Sequence, residues 1–75
     1  MVKAVVLVGV EPGETDKVFN DIKKNREVKE ALEVYGEYDM MFVIEVMSVS
    51  EIQSFVKSLR RMKGILRTVT LIEVV

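Results

Sequence analysis

VKAVVLVGV, residues Val2 to Val10, and MMFVIEVM, residues Met40 to Met47, decide the fold. Each run carries a single charge, Lys3 in the first and Glu45 in the second. Short apolar runs rich in β-branched residues read as strands, and near-continuous apolarity marks strands covered on both faces. In a chain of 75 residues this is more apolar strand than a single copy can hide, so one sheet face is expected to meet a second copy.

The flanks of these two runs supply the remaining elements. Glu11-Pro12-Gly13 ends the first strand, because proline fixes its own φ and glycine admits a turn. Glu14 or Thr15 opens a helix with Val18, Phe19 and Ile22 as its apolar stripe, and Asn25 stops it. A second strand spans Val28 to Tyr35, where Glu30 interrupts the alternation and a bulge reconciles it. Gly36-Glu37 then turns the chain into a third strand over Tyr38 to Val46, which pairs with the second as an antiparallel hairpin.

Ser48 and Glu51 have the spacing of a capping box. The helix they open places Ile52, Phe55, Val56, Leu59 and Met62 at intervals of three and four, with Gly64 as its C-terminal cap. Ile65 to Val75 forms the last strand. The order β-α-β-β-α-β is the ferredoxin-like α+β arrangement, a four-stranded antiparallel sheet with both helices on one face. Right-handed crossovers put the first and third strands, the two most apolar, at the centre. The expected architecture is of the dimeric α/β-barrel type. An apolar face left open would exceed the few hundred Å² that soluble monomers tolerate. Burying each ~500 Å² of it against a second copy is worth roughly 12 kcal/mol before association costs.

Bulk properties bound the function. A chain of 75 residues is one domain, and one this small is marginal alone. Cysteine is absent, which excludes disulfides and thiolate–metal sites. Eleven basic against twelve acidic residues give a formal charge of −1, the wrong balance for holding a polyanion. The basic clusters at Lys23, Lys24 and Arg26, and at Lys57, Arg60, Arg61 and Lys63, read as solvated helix faces. No apolar run reaches the roughly 20 residues a bilayer needs, and the start lacks the core of a signal peptide. A cytoplasmic protein with no membrane partner is expected.

Histidine is also absent, removing the usual neutral-pH base and the commonest metal ligand. The serines at 48, 50, 54 and 58 have no evident base beside them. Glu11 with Glu14, and Glu37 with Asp39, are carboxylate pairs with no sign of the burial that would make either a base. No enzyme activity and no cofactor are expected.

Two groups remain as candidates. Tyr35-Gly36-Glu37-Tyr38-Asp39 sets two tyrosines and an acid on a turn before a buried strand. A carboxylate there suits an ammonium group and free backbone amides suit a carboxylate, the two ends of an α-amino acid. The alternative is that Asp39 ties the turn and the tyrosines pack an interface. Thr68 and Thr70 point to one face of the last strand, either as β-formers on a half-wet face or as hydroxyls lining a cleft.

Gly36-x-Tyr38-Asp39 between the second and third strands, Gly64-x-x-Arg67-Thr68-x-Thr70 leading into the last, and Glu11-Pro12-Gly13 after the first occur in order on the matching elements. On these marks the whole chain resembles the ligand-sensing, or RAM, domain of the Lrp/AsnC family of transcription regulators. Met62-Lys63 departs from it, standing where many relatives have a proline before the glycine.

The resemblance implies sheet-to-sheet dimers that associate further into octamers or related rings, with an amino-acid effector near the interfaces between dimers. It implies a ligand site at Gly36, Tyr38, Asp39, Thr68 and Thr70, with Asp39 answering the ammonium end and the threonines lining the pocket or receiving the carboxylate. Regulators of the family carry an N-terminal helix-turn-helix domain, whereas this sequence begins directly at the first sensor strand, so a stand-alone version is expected. The resemblance therefore implies a single sensing domain over 1–75, with no direct contact to nucleic acid, working through a partner or joining full-length Lrp/AsnC regulators. An ACT-like amino-acid-binding domain shares the strand order, and a small dimeric α/β-barrel enzyme shares the fold; these are the competing readings.

Overall fold

The computed structural model describes residues 1–74. The elements run β1 (Val2–Val10), α1 (Thr15–Lys23), β2 (Val28–Glu33), β3 (Met40–Val46), α2 (Val49–Arg60) and β4 (Ile65–Ile72). They form a four-stranded sheet in the order β2-β3-β1-β4, with every neighbouring pair antiparallel. The ferredoxin-like order and the central place of the two most apolar strands follow the sequence reading. The last strand stops at Ile72, short of the expected 65–75, and Val75 lies outside the described residues.

Alternation along the central strands sorts side chains between the two faces. Ala4, Val6, Val8 and Val10 of β1 and Met40, Phe42, Ile44 and Val46 of β3 are buried. They join one core with Val18 and Ile22 of α1 and Ile52, Phe55, Val56 and Leu59 of α2, so both helices cover the same face. Phe42 anchors this core, fully buried, with the Phe19 ring of α1 tilted against it at 5.7 Å between centroids.

The other residues of the same strands form the uncovered face. Val5 pairs with Val43 and Leu7 with Met41 between β1 and β3, while Val5 pairs with Leu71 and Leu7 with Val69 toward β4. Leu32 of β2 extends this row opposite Met41. Lys3 and Glu45 pair directly across β1 and β3 at 3.8 Å and mark the polar end of the face.

The second strand ends at Glu33 rather than Tyr35 and the third begins at Met40 rather than Tyr38, and two further sequence expectations require correction. The barrel assignment is withdrawn: the sheet is open, with β2 and β4 as unpaired outer edges. Closure requires the two outer strands to pair with each other, and here β2 and β4 lie at opposite edges of the sheet. The reciprocal capping box at α2 is also not formed. Ser48 occupies the N-cap position in extended conformation, but its hydroxyl lies 2.9 Å from Ser50 Oγ and makes no cap bond to the helix.

Other local readings hold. Asn25 ends α1, its Nδ2 donating at 2.9 Å to the Ile22 carbonyl, which also accepts the Asn25 amide at 3.0 Å. The register of β2 shifts between Val28 and Glu30, the bulge anticipated there. Among the described residues no helix is long and apolar enough to cross a membrane.

Candidate functional site

Asp39 stands at the junction of three strands. Its amide donates to the Val8 carbonyl of β1 at 2.9 Å, and its carbonyl accepts from Val34, just beyond β2, at 3.0 Å. Its side chain turns back so that Oδ2 accepts the Val10 amide at 2.8 Å. The β1–β3 ladder ends at the Val8–Met40 pair, and beyond it the carboxylate serves the Val10 amide in place of a ladder carbonyl. This bond is not the expected tie within the turn itself; it anchors the hairpin to β1. It occupies one direction at one oxygen, and a carboxylate has about four acceptor directions.

The loop before Asp39 is shaped by Gly36, whose φ of +139° is a backbone state that L side chains rarely adopt. Nothing stands within 4 Å of the place a Cβ would take, so the loop surface beside it is open. Tyr38 is half-buried, with the Arg67 guanidinium 4.7 Å from its ring centroid. Arg67 Nη2 also donates to the Glu37 carbonyl. Tyr35, in contrast, is wholly exposed and packs on nothing in the chain.

Thr68 and Thr70 pair with Val8 and Val6. That register puts both hydroxyls on the helix-bearing face, while Arg67, opposite Gly9, lies on the uncovered face. Thr68 Oγ1 accepts from Arg60 Nε of α2 at 3.3 Å. Thr70 lines a groove of about 450 Å³ between α2 and β4, with Ile52 and Val56 as apolar lining and Gln53, Lys57 and Arg60 as polar lining.

Of the five residues expected to form one site, Gly36, Tyr38 and Asp39 come together on the hairpin. Thr68 and Thr70 share a face with each other but lie across the sheet from the Arg67 contact. Sequence reasoning quoted Arg67 as part of a motif without giving it a role, and took Gly9 only as a residue of the first strand and the turn that ends it, with no part in a site. The signal for Gly9 was present, since a glycine inside an apolar β-branched strand marks a close approach by a neighbour. Among the described residues, no group of three or more His, Cys, Asp or Glu side chains gathers to hold a metal ion.

The Lrp/AsnC ligand binding domain family matches residues 3–74. The chain is similar in structure to FFRP-DM1, at 33% identity and a TM-score of 0.93, covering 99% of this chain and 100% of that one. It is equally similar in sequence to the hypothetical protein PHS023 from Pyrococcus horikoshii, at 33% identity and a TM-score of 0.90, covering 100% of this chain and 92% of that one. The transcriptional regulator NMB0573 from Neisseria meningitidis, solved as a complex with L-Met, shares the fold at 17% identity and a TM-score of 0.85. That match covers 97% of this chain and 49% of the longer regulator. No curated protein sequence matches the chain.

Proposed function

The chain belongs to the Lrp/AsnC ligand binding domain family, and on that premise we propose that it senses an α-amino acid and acts in transcription regulation through partner proteins. The family is one of transcription regulators rather than enzymes, and self-association is typical of it. Copies of this chain associate through the uncovered sheet face, where Val5, Leu7, Met41, Val43 and Val69 present apolar area without a helix to cover it. The dimers assemble further into an octamer or related ring, and the chain works through a partner or joins full-length relatives in mixed assemblies.

The observation that carries the ligand reading is the Asp39 hairpin. Its carboxylate is fixed by the Val10 amide at 2.8 Å and retains acceptor capacity for an ammonium group. The open loop at Gly36 leaves room beside it. Because Thr68 and Thr70 lie on the helix-bearing face, the effector's carboxylate is received by the threonines of a neighbouring copy, and the site is completed between subunits. The L-Met bound to the Neisseria regulator supports an amino acid as the ligand class.

Native mass spectrometry of the protein with and without pooled amino acids tests this reading. An even-numbered assembly that retains one amino acid per subunit or per interface is the expected result. An assembly that takes up none of the pool removes the sensor reading, and a monomer removes the assembly it depends on.

A further inference from the structure

The hairpin is held from the far side of the sheet by a side chain the ligand reading does not use. Arg67 projects from β4, an outer strand, yet its guanidinium ends on Tyr38 and the Glu37 carbonyl, beyond β1. The path lies directly over Gly9, its cross-strand partner. A Cβ on Gly9 would stand 3.1 Å from Arg67 Cγ and 3.2 Å from Arg67 Nε. Both are tighter than ordinary van der Waals contact, so β1 is flush where the arginine crosses it. A larger residue at position 9 would lift the arm off the sheet.

We propose that Arg67 is a positioning residue for the hairpin site, bracing the Gly36–Tyr38 loop from β4 across the gap left by Gly9. The inference rests on the amino-acid reading above and adds the residues that shape its pocket. The guanidinium lies over the ring, 4.7 Å from its centroid, while one of its N–H groups serves the Glu37 carbonyl, a pair of contacts that the point charge of lysine suits less well. Glu37 and Tyr38 lie next to Asp39, so a loop fixed at those two residues presents the carboxylate in one orientation. Without the brace, only part of the population holds the binding shape, and apparent affinity falls by that fraction. Thr68 is the next residue along β4, so the strand that braces the hairpin also sets the position of a threonine assigned to a neighbouring copy's site.

The test uses the assembled full chain with Arg67→Ala, Arg67→Lys, Gly9→Val and the Arg67→Ala/Gly9→Val double variant. Two quantities are read in each: NMR shifts of the Tyr38 ring with amide exchange across residues 34–39, and amino-acid affinity. The expected result is a moved Tyr38 signal and faster hairpin exchange in Arg67→Ala, with affinity lower by about tenfold if the competent fraction drops to about a tenth. Arg67→Lys should recover the ring contact in part but not the Glu37 bond. Gly9→Val should reproduce the Arg67→Ala effects although Arg67 is intact, and the double variant should be no worse than either, as two changes to one contact path require.

Unmoved Tyr38 shifts and exchange in Arg67→Ala overturn the brace. A loosened hairpin with unchanged affinity overturns its role in positioning the ligand. Wild-type protein that takes up no amino acid overturns the sensor reading, while the shift and exchange measurements still decide whether the brace exists.

Discussion

The two faces of the sheet are built from alternate residues of the same strands, and they differ in what covers them rather than in what composes them. On one face Val6, Val8, Met40, Phe42 and Ile44 are completely buried beneath α1 and α2. On the other, Val5, Leu7, Met41 and Val43 are only half-buried, and Leu32 and Leu71 at its sides are 40% and 56% exposed. Composition alone would assign both rows to a core. Register and helix placement separate the folding core from the surface left for association, and the same substitution chemistry should act on stability in one row and on assembly in the other.

The largest effect is expected on the covered face. Phe42→Ala removes the side chain that meets the α1 ring, and such truncations cost about 3–5 kcal/mol. A domain of this size has a total stability of that order, so thermal or urea unfolding should find the variant largely unfolded. On the uncovered face, Val43→Lys puts a charge where apolar area is to be buried. Sedimentation or light scattering should show loss of the assembly with the fold retained by circular dichroism. A Val43→Lys protein that unfolds without first dissociating, or assembles unchanged, would abolish the distinction between the faces.

Smaller effects sharpen the comparison at the sheet's end. Asp39→Ala leaves the part-buried Val10 amide without its acceptor, a loss of about 1–3 kcal/mol in unfolding free energy. Asp39→Asn keeps an acceptor oxygen for that amide but no charge. It should preserve most of the stability while losing affinity for an ammonium-bearing effector, measured by calorimetry. The smallest change is expected at Ser48→Ala. An N-cap serine that bonds the helix contributes about 1 kcal/mol, but here the hydroxyl is engaged with Ser50, so the unfolding midpoint should move by only a few tenths of that.

The elements that the sequence made legible were those governed by local chemistry. Val2–Val10 is strand over the whole expected span, and Asn25 stops α1 with the bond its side chain is suited to make. The bulge at the start of β2 was readable because Glu30 broke the alternation. The misses required knowledge of partners. Tyr38 and Asp39 read as the start of β3, but Asp39 is committed to Val10 and Tyr38 to Arg67, so the strand begins at Met40. The capping box had the right spacing, and a serine two residues on took the hydroxyl instead.

The candidate site was legible by half for the same reason. Gly36, Tyr38 and Asp39 are neighbours along the chain, so their grouping follows from a turn. Whether Thr68 and Thr70 face them depends on the β1–β4 register, which pairs Thr68 with Val8 and Thr70 with Val6 and which no local pattern reports. Arg67 reaches the hairpin across an intervening strand, a relation visible only once the strand order β2-β3-β1-β4 is known.

That strand order also has a consequence in time. β1 is flanked by β3 and β4, and its contact of Ala4 with Ile72 spans 72 − 4 = 68 positions of the chain. Pairings of such long range form more slowly than local ones, because the loop must be closed before the contact rewards it. During synthesis, the apolar ribbon of β1 leaves the ribosome before either of its neighbours exists. Every newborn copy must therefore carry β1 with one edge open, even after β3 has joined it, until β4 has been made, and that interval is when copies can pair with the wrong edge.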